Sequence, residues 1–150
     1  DDVESRGLGD VYKRQYVDVA SRLISQALSR LPKYEGVVYR GETMSIKKLQ
    51  ERFLDHIGDV VSDKGFISSS LYMDTPMKFI SRAGIPKSHK RVIFEIQSKN
   101  GRNISKISEF NGIFTLENQH EILFDKGTKF LVKKRRIEGD GTYRIILVEQ

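Results

Sequence analysis

The feature that most restricts the fold is a change of hydrophobic period at Pro86. Before it, apolar residues recur at helical spacing; after it, they alternate or run in short blocks bounded by turn residues. Residues 16–31 carry Val19, Leu23, Ala27, Leu28 and Leu31 as a helical stripe, with Pro32 as its stop. Ser45 reads as the N-cap of a helix through His56, with Ile46, Leu49, Phe53, Leu54 and Ile57 along one face. Residues 36–40 and 65–70 read as short strands, and Asp74 caps a third helix containing Pro76, Met77, Phe79 and Ile80. Downstream, residues 91–97 and 103–107 form an expected hairpin about Lys99-Asn100-Gly101. Strands follow over 119–124, 128–137 and 142–149, with a loop over 109–117 and turns at 125–127 and 138–141. Helices first and strands last predict an α+β fold: N-terminal helices, then a mostly antiparallel, split or sandwiched sheet.

A chain of 150 residues is long enough for one domain with a real core. The absence of Cys excludes disulfides, thiolate metal sites and a cysteine nucleophile together. His56, His89 and His120 lack ligand spacing, so no metal is expected. No apolar run approaches the roughly 20 residues a membrane helix needs. A formal charge of +6 makes polyanions plausible partners, without bearing on the fold. Residues 1–15 show no clean periodicity, and SRGLGDVYKRQ resembles a translated sequencing adaptor. They are set aside as a non-native or disordered leader, leaving residues 16–150 as the expected domain.

Three fragments could carry chemistry. Arg40-Gly41 closes the first strand. An Arg fork suits paired phosphate oxygens, and this one has no evident local carboxylate partner. Gly41 allows close approach to the backbone. In Phe66-Ile67-Ser68-Ser69-Ser70, alternation puts Phe66, Ser68 and Ser70 on one face. In Gln119-His120-Glu121-Ile122-Leu123-Phe124, Gln119 and Glu121 share a face if Ile122 and Phe124 point to the core. Taken singly, the fragments read better as an ordinary surface Arg, an edge strand and a solvated strand face.

Their order resembles the ADP-ribosyltransferase superfamily, in its arginine/serine/glutamate branch, over roughly residues 16–150. The Gln-x-Glu form is similar to that of clostridial Rho-modifying exoenzymes and of guanine-modifying pierisin-like toxins; similar domains accompany phage head proteins. The resemblance implies NAD as the substrate. Arg40 would hold its phosphates and Gly41 would meet the nicotinamide amide. Ser68, supported by Ser70, would order the site near the catalytic Glu121, and Gln119 would orient the acceptor. Phe79 and Arg82 match a Phe-x-x-Arg element that helps cover nicotinamide and phosphate, and residues 109–117 would recognise the acceptor. Ser69 stands where the family has Thr, and Phe114 lies five residues before Gln119 instead of three.

These roles suit the chemistry. Cleaving the nicotinamide–ribose bond passes through an oxocarbenium-like state, which a carboxylate gripping the ribose 2′-hydroxyl can favour. Nicotinamide leaves as a neutral group, so no strong general acid is required. The expected activity is mono-ADP-ribosylation of a protein side chain, with a GTPase or actin-like acceptor as the family's suggestion. A secreted toxin or effector, or a phage-delivered protein, acting in a target-cell cytoplasm would do this. One alternative moves the acceptor to guanine in DNA or a nucleotide, and another is a catalytically idle module of a phage or toxin particle. The run Lys133-Lys134-Arg135-Arg136 reads foremost as a solvated, aggregation-resistant strand, and secondarily as a steering patch for nucleic acid or an acidic protein.

Overall fold

The computed structural model describes residues 2–73, 84–104 and 120–150, with the backbone alone over 2–14 and at 16. Two compact units emerge, residues 1–31 and 32–150. The first is one helix, α1 (Asp2–Ser29). It begins at Asp2, upstream of the onset expected at Tyr16. Periodicity reports a buried face, not helicity itself. Val19 and Leu23, read as residues of an apolar stripe, are instead exposed, at 49% and 60%.

The second unit holds β1 (Lys33–Ser45), α2 (Ile46–Arg52), a 3-10 turn at Leu54–His56, and β2 (Val60–Ser62). Then follow β3 (Ile67–Ser70), β4 (His89–Asn103), β5 (Glu121–Phe124), β6 (Lys129–Ile137) and β7 (Tyr143–Glu149). The Ser45 hydroxyl accepts from the Lys48 amide at 3.1 Å, so the N-cap stands as read. The helix it starts is shorter than expected, because Phe53 leaves helical geometry and the chain tightens into the 3-10 turn. Leu49 and Phe53 are buried, Leu54 packs against the core, and Ile46 and Ile57 remain exposed. The expected third helix at Asp74 and the 109–117 loop lie outside the described residues.

The strands order β1-β3-β5-β4-β7-β6-β2, and β1 also pairs with β4. Strands β1, β3, β5 and β4 therefore close a ring, while β7, β6 and β2 extend from β4. All pairings are antiparallel except β4 with β7. Among the described residues the expected hairpin about Lys99-Asn100-Gly101 is absent: these residues bulge and bend one continuous strand, and residues 105–107 of the expected second arm lie outside the described residues. Before the bend β4 pairs with β7; beyond it, Arg102 and Asn103 pair with β5.

Tertiary contacts make the bend. The buried Glu149 carboxylate accepts the Lys99 and Asn100 amides at 2.8 and 2.7 Å, and the Asn100 side-chain amide at 3.0 Å. Those backbone donors are thereby satisfied without a turn. Gly101 then presses onto β5, where a Cβ would stand 2.6 Å from Ile122 Cγ2 and 3.0 Å from Phe124 Cε1. Only glycine fits there without displacement. The core runs through both halves, from Val38, Ile96, Ile122 and Phe124 to Phe130, Val132, Ile145 and Leu147.

Candidate active site

The site forms at the β1–β3–β5 corner. Ser70 stands opposite Tyr39 of β1 and opposite Glu121 of β5, while Ser68 stands opposite Leu123. Ile122 and Phe124 are 0% and 1% exposed, so the alternation sends Glu121 to the other face, as the sequence pattern requires. Ser69 points inward, and its hydroxyl donates to the Ile122 carbonyl at 2.7 Å. A hydroxyl in the place of the family's Thr thus still ties β3 to β5.

Two side-chain contacts join the three motifs. The Arg40 guanidinium donates to the Ser68 carbonyl at 2.9 Å. The Ser68 hydroxyl donates to Glu121 Oε1. Arg40, Ser68 and Glu121 thus form one connected unit drawn from three strands. Gly41 follows in β1, opposite Ile93. The Ser70 hydroxyl accepts the Tyr72 amide at 3.2 Å, holding the chain as it leaves β3. Beyond Glu121, the Leu71 amide donates to the His120 carbonyl at 3.0 Å, and Tyr72 meets the His120 ring edge-on at 4.7 Å. Gln119, Phe79 and Arg82 lie outside the described residues.

One expectation is corrected. Arg40 does have a carboxylate beside it: Glu42, two residues on in the same strand, approaches its Nε at 3.8 Å. The i, i+2 spacing was the available signal. Lys48 reaches the same carboxylate at 3.9 Å. Both pairs are partly exposed, where such contacts contribute at most about 1 kcal/mol. Arg40 is therefore held in place without being consumed.

Beside Arg40 opens a cavity of about 640 Å³, walled by Glu42, Lys48, Arg52, Asp63 and Phe66, with Phe94 and Phe130 deeper in. Arg52 pairs with Asp63 at 3.2 Å. Partial burial opposes ionisation of Asp63, but the Gly65 amide, the Arg52 hydrogen bond and charge, and the Arg40 charge outweigh it. Together they hold its carboxyl below the usual range. Sequence reasoning missed this wall, because β2 is too short to show a pattern and Asp63 lies in the loop after it.

Comparison with known proteins gives the family. The model of the ADP-ribosyltransferase exoenzyme family matches residues 10–150. The chain belongs to that family. It is 29% identical over 147 residues to the putative NAD(+)–arginine ADP-ribosyltransferase Vis of Vibrio splendidus, covering 95% of this chain and 53% of that protein. It is 29% identical over 126 residues to the NAD(+)–protein-arginine ADP-ribosyltransferase Tre1 of Serratia proteamaculans, covering 84% of this chain and 23% of Tre1. The crystal structure of Vis in complex with agmatine superposes with a TM-score of 0.66 at 26% identity, over 91% of this chain and 57% of that one. The chain thus spans about half the length of Vis and less of Tre1.

Proposed function

We propose that this chain is the catalytic domain of a mono-ADP-ribosyltransferase, which moves ADP-ribose from NAD to a protein side chain and releases nicotinamide. The observation that carries the reading is the continuous contact from Arg40 through Ser68 to Glu121. A phosphate anchor and a carboxylate for the ribose are thereby set at a fixed separation, as preorganised catalysis requires. Part of the dinucleotide would occupy the cavity beside Arg40. As the C1′–nicotinamide bond breaks, Glu121 steadies the developing cation through the 2′-hydroxyl. The acceptor nitrogen then bonds C1′ and loses its proton. An idle module would have no use for this arrangement.

The acceptor follows from two considerations. Relatives named as arginine-directed support a protein guanidinium, whereas the Gln at position 119 suits an amide acceptor by its own hydrogen bonding. Arginine is the stronger reading, because it draws on similarity over most of the chain. A GTPase or actin-like protein, met in a target cell after secretion or phage delivery, is the finer expectation. The basic run on β6 lies three strands from β5 in the sheet, with β4 and β7 between, and lends no support to a DNA acceptor.

Nicotinamide release and acceptor labelling, measured side by side, test the assignment. Glu121→Gln is expected to abolish both, a loss of about 10³-fold or more. Gln119→Ala should chiefly suppress transfer and spare NAD hydrolysis, and Gln119→Glu should raise labelling of agmatine. Normal hydrolysis in Glu121→Gln would sink the enzyme reading; equal loss of both activities in Gln119→Ala would sink only the role of Gln119.

A further inference from the structure

The basic run on β6 acquires a definite geometry in the fold. Strict alternation would divide Lys133, Lys134, Arg135 and Arg136 evenly between the two faces of the sheet. Instead the register slips between Val132 and Lys134: Val132 opposes Leu147 and Lys134 opposes Ile146, leaving Lys133 as the extra residue. Lys133, Lys134 and Arg136 consequently line one concavity of about 360 Å³ on the outer face, and Arg135 does not. Arg135 stands opposite the fully buried Ile145, on the other face.

The floor of this concavity is aliphatic. Val37, Ile146 and Val148 line it, with Gln97 and Glu95 completing it. Val37 is 37% exposed, although it sits in a long strand paired along its length with β4. Glu95 adds little free negative charge, because Arg144 approaches it at 3.5 Å. Several cations of the unit do face carboxylates: Arg40 and Lys48 face Glu42, and Arg52 faces Asp63. Among the described residues, Lys133, Lys134 and Arg136 have no ion-pair partner. Three like charges gathered around an apolar floor repel one another and gain nothing within the fold.

We infer that this outer face of β1–β4–β7–β6 is a docking surface for an acidic segment of a partner protein, one that interleaves carboxylates with aliphatic side chains. The carboxylates would meet Lys133, Lys134 and Arg136 while the aliphatic groups cover Val37, Ile146 and Val148. A nucleic acid fits less well. Among the described residues, the floor offers no aromatic ring for a base to stack on. The surface does not involve Arg40, Ser68 or Glu121, so the inference stands apart from the proposed NAD chemistry.

The test uses the full chain and a fluorescent peptide alternating Glu with Leu, followed by anisotropy, with a short DNA duplex as the competing probe. Replacing Lys133, Lys134 and Arg136 together by Ser should weaken peptide binding about tenfold or more, and Ile146→Ser about threefold. Arg135→Ser is the control: it removes one positive charge of the same run from the opposite face and should change little. Circular dichroism verifies that each variant is folded, and Val37→Ser repeats the floor test should Ile146→Ser fail to fold. Three results would overturn the inference: equal weakening by Arg135→Ser, no weakening by the floor variants, or tighter binding of the duplex than of the peptide through the same three cations.

Discussion

Strands β5 and β6 are written in the same alternating code, yet their polar faces have different fates. In both, the inward residues are core: Ile122 and Phe124 from β5, Phe130 and Val132 from β6. The two strands meet there, the rings of Phe124 and Phe130 packing edge-to-face at 5.2 Å. Outward, Glu121 finds Ser70 opposite and the Ser68 hydroxyl within reach, and through Ser68 it is joined to Arg40. Outward from β6, Lys134 finds Ile146, and Arg136 finds Arg144. A charged strand residue becomes part of a site when the neighbouring strand supplies a donor that orients it. Where the neighbour supplies an aliphatic group or a like charge, the charge stays free for something outside the fold.

If the inward faces are equivalent, Phe124→Ala and Phe130→Ala should be equally harmful. Each is expected to lower unfolding free energy by about 3–5 kcal/mol, and the double variant by less than the sum because the rings share a contact. Denaturant titration checks this, and a loss confined to one strand would break the symmetry.

The outward faces should then separate. Arg40→Ala is expected to weaken NAD binding by on the order of 2 kcal/mol, about thirtyfold, through loss of a charge-assisted phosphate contact. The fold should survive, because the guanidinium is partly exposed. Calorimetry showing unchanged affinity, with a native circular dichroism spectrum, would remove Arg40 from the site.

Ser68→Ala should reduce kcat for nicotinamide release about tenfold, or ~1.4 kcal/mol, while the KM for NAD changes little, since the hydroxyl orients Glu121. Lys134→Ala, assayed identically, should leave both constants unchanged. Similar losses in the two variants would mean that the contrast between the strands is not functional.

The smallest effect concerns Asp63. Its carboxyl is more acidic in the folded chain than in the unfolded one, so its contribution to stability is complete above the ordinary Asp value of about 3.9. That contribution is lost as pH falls through the lowered folded value. Acid unfolding of Asp63→Asn should therefore show a weaker dependence on pH over that interval than the parent. Superposable acid transitions would show that the Arg52 pair adds nothing.

Much of this molecule is determined by local pattern. Ser45 caps α2 because a side-chain oxygen satisfies a free amide at a helix start, an interaction spanning three residues. Glu121 departs from the core because Ile122 and Phe124 enter it, which alternation alone dictates. Arg40, Ser68 and Glu121 stood out in the sequence only through the resemblance to a family, because each short motif alone reads as an ordinary piece of strand. What tertiary structure decided involves partners far apart in sequence. Lys99-Asn100-Gly101 resembles a hairpin turn, but Glu149 takes up its free amides, and Gly101 packs against Ile122 and Phe124, so β4 continues and passes from β7 to β5. The slip at Lys133, which gathers three cations on one face, likewise exists only in the pairing of β6 with β7. Local sequence sets the period of a strand, but its register and its neighbours are set by which other strands bury the same core.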